Sequence, residues 1–311
     1  MSEGSLRRGN LDALTDAARA QRLKGVGLLL LALACFCGLD STAKILNGHM
    51  HVMQIVWARY VFHFLLMLPF VNPWNTPGLI RSRRPGLQIG RALLLILVTA
   101  CNFFALIYLQ LDETMSITFA TPLMVAVLAG PMLGEWVGPK RLAAILVGFL
   151  GVLVVTRPGF GGLHPAALVA FLGCVAYALY LIATRVLAAH DPTTTTLFFS
   201  GLVGVVATSP VVPFFWTWPS AGDWLMLAAV GALGAVGHGL LIAAYRLAPA
   251  AILAPFIYAQ LVGMIAMGYL VFGDVPGLWT LSGAGIVIGS GLYLITRERV
   301  ARKVPAAAPA P

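Results

Sequence analysis

Charge is what this chain has least of. Asp, Glu, Lys and Arg together make up 10% of its 311 residues, where a soluble domain carries about 25%. With 59% of residues hydrophobic, too little polar surface remains to cover a water-soluble core. Cysteine is also scarce. Cys35, Cys37, Cys101 and Cys174 all fall in apolar stretches, with neither metal-site spacing nor a disulfide framework, and read as small packing residues. Catalytic signatures are missing too. There is no Gly-rich phosphate loop, no His-Glu-x-x-His and no Gly-x-Ser-x-Gly, which argues against a primary pump and against an intramembrane enzyme. Nothing in the sequence asks for a cofactor or a metal.

What is present is a succession of long apolar runs. About 20 apolar residues cross a hydrocarbon core, and such runs lie at 25–46, 52–72, 89–109, 114–134, 140–156, 165–187, 195–216, 223–245, 250–272 and 277–296. Leu28–Leu33 and Leu93–Val98 show no polar/apolar alternation, so the spans are helices rather than barrel strands. The sequence predicts an all-α integral membrane protein with ten transmembrane helices.

The net charge of +9 is better read as orientation than as nucleic-acid binding. With the N-terminus in the cytoplasm, the inside segments hold the basic residues at 7–8, 19–24, 81–91, 140–141, 185, 246 and 297–303, and the outside connections hold only Arg157. That asymmetry fits the positive-inside rule for a multi-pass protein with ten spans and both termini inside. Residues 1–24 form a basic cytoplasmic lead, weakly amphipathic, which lies on the inner membrane surface or is disordered, with disorder favoured. No signal-peptide cleavage site follows the first apolar run. Residues 298–311 form a cytoplasmic tail expected to be disordered.

The two halves repeat with an offset near 140 residues. Ala43-Lys44-Ile45-Leu46 ends span 1 and Thr184-Arg185-Val186-Leu187 ends span 6; Gly134-Glu135 follows span 4 and Gly273-Asp274 follows span 9; Val155-Thr156-Arg157 closes span 5 and Ile295-Thr296-Arg297 closes span 10. The order of the matches carries the signal. Five spans is an odd number, so the second repeat (165–297) enters the membrane from the side opposite to the first (25–157). Inverted repeats characterise secondary carriers, whose halves rock about a site near the midplane.

Polar residues at depth are the candidate site, because each is costly in lipid unless it faces a cavity or a partner. Asp40 on span 1 and Arg59 on span 2 fall at similar depth, compatible with an ion pair that either lines a solute path or locks the two spans. His63 lies one turn from Arg59 on the same face. Lys44 is shallow enough to snorkel. Ser116, Thr118 and Thr121 can satisfy carbonyls freed by Pro122, and Pro255, Tyr258 and Gln260 stand at comparable depth in span 9. Tyr177 and Tyr180 stack on a planar solute or merely pack. Asn102 and His238 bind solute, move a proton or tie helices. Asp112 and Glu113 are read as solvated, and Glu135 with Lys140 and Arg141 as an interfacial anchor. Gly148, Gly151, Gly283, Gly285, Gly289 and Gly291 read as helix-packing positions, which sets spans 5 and 10 away from the path.

Ile117-Thr118-Phe119-Ala120-Thr121-Pro122-Leu123, Leu133-Gly134-Glu135, Gly148-Phe149-Leu150-Gly151-Val152 and Arg157-Pro158-Gly159 resemble the EamA-type fold of the drug/metabolite transporter superfamily. The second half repeats the pattern in Leu247-Ala248-Pro249-Ala250 and Phe272-Gly273-Asp274, with Asp274 where the family often has Glu. The resemblance spans about residues 25–296. It implies a cavity lined by spans 1–4 and 6–9. Family members carry amino acids, nucleotide-related compounds, vitamins and metallophores. Asp40, Ala43-Lys44, Val56-Trp57-Ala58-Arg59-Tyr60 and Gly237-His238 look like the bacterial branch that contains riboflavin and S-adenosylmethionine uptake carriers. The expected partners are therefore a small-molecule substrate and the lipid bilayer, with a coupling proton and a second copy of the chain as candidates, and no nucleic acid.

Overall fold

The computed structural model describes residues 3–134, 138–156, 164–248, 253 and 256–303. Glu135, residues 157–163 of the connection between halves, Pro255 and the tail beyond Lys303 lie outside the described residues, as do the side chains of Lys140 and Arg141. The described residues are helical with short connections, and no strand occurs among them.

The helices are α1 (Glu3–Leu46), α2 (Val52–Met67), α3 (Pro85–Tyr108), α4 (Leu111–Thr118), α5 (Thr121–Leu133), α6 (Pro139–Thr156), α7 (Pro165–Ala188), α8 (Thr193–Thr208), α9 (Ala221–Leu247), α10 (Ala259–Met267) and α11 (Leu278–Lys303). Five stretches are long and apolar enough to span a membrane (Ala20–Leu46, Pro85–Tyr108, Leu111–Leu133, Pro165–Leu187 and Ala221–Leu247). Five shorter apolar helices, Val52–Met67, Leu142–Thr156, Thr193–Thr208, Ala259–Phe272 and Leu278–Tyr293, complete the ten. The basic lead, for which disorder was the favoured expectation, continues α1 as helix from Glu3, and α11 carries helix through residues 298–303.

Helix contacts obey a two-fold exchange of the repeats. α1 packs on α9, and its counterpart α7 packs on α3; α2 meets α9 as α8 meets α3; α2 pairs with α8, and α6 with α11. α1 on α10 is mirrored by α7 on α4 and α5. Spans 4 and 9 end alike. Gly134 and Gly273 both close their helices in the left-handed region (φ 73° and 72°), where only glycine avoids a Cβ clash.

Both of these spans are also broken midway. α4 stops at Thr118, Phe119 and Ala120 form a turn, and α5 restarts at Thr121 with Pro122 in its first turn. The hydroxyls satisfy the local carbonyls as expected: Thr121 Oγ1 donates to Thr118 O (2.7 Å), Thr118 Oγ1 to Thr114 O (2.9 Å) and Ser116 Oγ to Asp112 O (2.7 Å). In span 9 a turn at Tyr258 precedes α10, which passes into a π-helical turn over Gly268–Phe272.

α6 and α11 form a pair at one side of the bundle. A Cβ on Gly283 would stand 2.6 Å from Gly151 O, and one on Gly151 would stand 2.9 Å from Gly283 O. Bare backbone is therefore required at the crossing. Gly285 and Gly289, by contrast, have nothing within 4 Å of an added Cβ.

Hereafter the near end of the bundle is where the apolar part of α1 starts, and the far end is where α1 finishes at Leu46. At the near end Asp191, between α7 and α8, ties the two repeats together. It accepts from Ser82 Oγ, from the Arg83 N–H (2.9 Å) and from Gln88 Nε2 (2.8 Å). Burial alone raises its carboxyl, but these hydrogen bonds outweigh burial and hold it below the usual carboxylate range. At the far end Glu113 closes a capping box with Gln110. Asp112, expected to be solvated, is instead buried at 3% exposure, because the start of α4 packs inward.

Candidate substrate site

Helical spacing collects one polar face from each of several helices. On α2, Arg59 and His63 are one turn apart. On α3, Arg91, Leu95 and Thr99 recur every fourth residue, and on α8 Leu197, Ser200 and Gly201 share a face. With Tyr60, Tyr180 of α7 and His238 of α9, these residues, Thr99 excepted, line a narrow cavity of about 410 Å³ counting its open mouth. The space within it open to a water-sized sphere is only about 30 Å³, so the site is tightly closed around its lining.

The cavity is off-centre along the membrane normal. Arg59 is at the middle of α2. Arg91, Ser200 and Leu197 fall in the first halves of helices that begin at the near end; His63, Tyr180 and His238 fall in the second halves of helices that finish there. Both repeats contribute.

Two arginines dominate the lining. Arg91 is 4% exposed. Its guanidinium donates to Thr184 Oγ1 (2.7 Å), Ser200 Oγ (2.6 Å), Tyr180 OH (2.6 Å) and, at the limit of range, Thr196 O (3.5 Å), and it lies 4.4 Å from the Tyr180 ring centroid. Arg59 donates from one nitrogen to Thr99 Oγ1, which also pairs with Tyr60 OH at 3.1 Å. Among the described residues neither arginine forms an ion pair, and no carboxylate lines the cavity. A cation at bilayer depth costs at least about 2.5–3.5 kcal/mol, so two without counterions are a considerable expense for packing alone.

Aromatic rings surround these cations. Tyr177 stacks on Tyr180 with centroids 5.7 Å apart and planes 16° off parallel. His63 and His238 approach to 6.1 Å, and Phe36 meets His238 edge-on at 5.1 Å.

The remaining sequence candidates divide. Asp40 and Arg59 share a depth but form no ion pair. Asp40 Oδ1 accepts from Asn102 Nδ2 (3.0 Å), while Arg59 turns to α3, because equal depth does not fix the rotation of α2. Asn102 therefore ties α3 to α1. Thr121 is buried in the helix break against Cys174 Sγ (3.4 Å). Tyr258 packs edge-on to Phe119 (5.0 Å) and abuts Gly291 of α11, away from the cavity. Gln260 offers its backbone carbonyl to Cys37 Sγ at 3.7 Å. Lys44 does not snorkel: its Nζ meets Asp274 Oδ2 at 3.2 Å and donates to Leu109 O at 3.0 Å, clasping the first repeat to the second at the far end. Arg91, counted from sequence among the inside loop cations, is the charged residue that sequence reasoning missed; Tyr60, Leu95, Leu197, Ser200 and Gly201 of the lining were not singled out for the site either. The signal for Arg91 was there: helical spacing puts it on the face of Leu95 and Thr99.

Residues 23–157 and residues 164–297 each match the EamA-like transporter family. The chain belongs to that family. Among curated members it is 28% identical to an S-adenosylmethionine uptake transporter of Rickettsia felis over 93% of this chain and 97% of the relative. It is 26% identical to a riboflavin transporter of Brucella anthropi over 78% of this chain and 88% of the relative. A pseudopaline exporter of Pseudomonas aeruginosa is 25% identical over 85% and 93% of the two chains. One solved crystal structure superposes with a TM-score of 0.60 at 18% identity, covering 92% of this chain and 99% of that one, which speaks to fold alone. EamA-like membership accounts for the paired repeats and for a cavity fed by both.

Proposed function

We propose that this EamA-like chain is an inner-membrane secondary carrier that takes up a small metabolite with a planar ring, S-adenosylmethionine first and riboflavin second. The carrying observation is the cavity itself: a site within the membrane, displaced towards the near end, with cations and with Tyr180, on which Tyr177 stacks, drawn from both repeats. Rocking of the repeats about it would expose it alternately to the two sides. With both termini in the cytoplasm, as the charge asymmetry suggests, the cavity faces inward and the Lys44–Asp274 pair closes the outer side. Asp40, His63 and His238 are the proposed proton-coupling groups, since they are the described acid and imidazoles at depth near Arg59.

The test is flux into proteoliposomes carrying the purified protein, with labelled S-adenosylmethionine, riboflavin and a pool of amino acids offered with and without an imposed pH gradient. Accumulation of one ring compound that depends on the gradient is the expected result. Absence of flux for every compound would refute the carrier reading for these substrates.

A further inference from the structure

The cavity holds an imbalance that a generic carrier of ring compounds does not require. Arg91 has its donors occupied by Thr184, Ser200 and Tyr180, with Thr196 O at the limit of range. These are neutral partners; they satisfy its hydrogen bonds but leave its charge uncompensated. Arg59 differs, since one of its guanidinium nitrogens meets Thr99 and its side chain is part of the cavity lining. His63 and His238 add no negative charge, and Asp40, engaged with Asn102 outside the lining, attracts Arg59 only at longer range without an ion pair.

We infer that the missing counter-charge is brought by the solute: Arg59 binds an oxyanion, a carboxylate or a phosphate, on a ring-bearing metabolite, and Arg91 holds the field that favours it. The inference rests on the carrier reading above and narrows its substrate class. An arginine fork matches a planar oxyanion with two parallel hydrogen bonds, and in a desolvated cavity an unpaired cation gains more from such a group than it would in water. Tyr180, which lines the cavity beside Arg91, puts an aromatic side chain next to the proposed oxyanion position. S-adenosylmethionine carries a carboxylate, although its ammonium and sulfonium make it a net cation, so for this compound Arg59 would meet a local rather than a net negative charge; riboflavin carries no anionic group at neutral pH, whereas its 5′-phosphate does.

Two matched ligand pairs separate the sources of the anion. S-adenosylmethionine and its decarboxylated analogue differ in the carboxylate, and flavin mononucleotide and riboflavin differ in the phosphate. Binding of each to the purified full-length protein in detergent is measured by calorimetry. The member of one pair that bears the carboxylate or phosphate is expected to bind at least about tenfold more tightly than its partner, the scale of a charge-assisted hydrogen bond. Arg59→Gln should reduce that ratio towards unity, and Arg59→Lys should restore part of it. The wild-type ratio needs no variant, so a poorly folding mutant does not shelter the inference. A ratio near unity in both pairs, or binding of neither oxyanion-bearing ligand, overturns it. Riboflavin flux in the proteoliposomes with no such preference would leave the carrier reading intact and remove this inference alone.

Discussion

Two cationic regions of this molecule are solved in opposite ways. At the far end Lys44 meets a carboxylate of the other repeat, and its side chain and that of Asp274 keep 17% and 24% exposure. In the near-end cavity Arg59 and Arg91 meet hydroxyls and rings. A cation with its own acid is complete without a ligand and holds two repeats together. Cations whose hydrogen-bond partners are neutral, in a cavity fed by both repeats, leave a positive field for a solute to meet. Burial therefore says less about function than the sign of the neighbours does.

The sharpest way to break the contrast is Arg59→Ala, which should cut solute flux by about 10- to 100-fold while fluorescence-detected gel filtration shows normal insertion. Normal flux from a well-folded variant would remove Arg59 from the site. Next comes the scaffold. Gly283→Ala would force a Cβ to 2.6 Å from Gly151 O and should destabilise by about 1–3 kcal/mol in a detergent melting assay. Gly285→Ala, with nothing within 4 Å, should be neutral; equal losses for both would contradict the α6–α11 crossing. The far-end clasp should matter less. Lys44→Gln is expected to cost up to about 1 kcal/mol, and adding Asp274→Asn should cost little more, as befits two halves of one pair. Additive losses would show the pair to be incidental.

The smallest effect is at the near-end tie. The folded-state carboxyl of Asp191 lies below its unfolded value, so its contribution to stability is present above the unfolded value, about 3.9, and is lost as pH falls through the folded value. Melting temperatures of wild type and Asp191→Asn should therefore converge in acid, and a constant gap across that range would refute the assignment.

The contrast also shows what the chain discloses before it folds. Span number, helix type and the inverted repeat are legible because they depend on run length and on motifs such as Gly134-Glu135 and Gly273-Asp274. The broken span 4 was announced by Pro122 with its neighbouring hydroxyls. Helix rotation was not legible. A span that is apolar all round gives no stripe to orient it, so Tyr258 and Thr121 were expected at the site yet point into packing. Arg91, at the edge of its span, was counted with the loops. The glycines of α11 look alike in sequence, but Gly283 and Gly291 face close neighbours while Gly285 and Gly289 do not.

The most direct test of where the solute sits is protection of one lining position. Leu197 borders the cavity and makes no polar contact that its loss would disturb. In a background with Cys35, Cys37, Cys101 and Cys174 replaced by alanine, Leu197→Cys would be labelled by a membrane-impermeant thiol reagent, with and without the transported compound. The account predicts that saturating solute slows labelling severalfold. Unchanged labelling in a variant that still transports would place the solute elsewhere and contradict it.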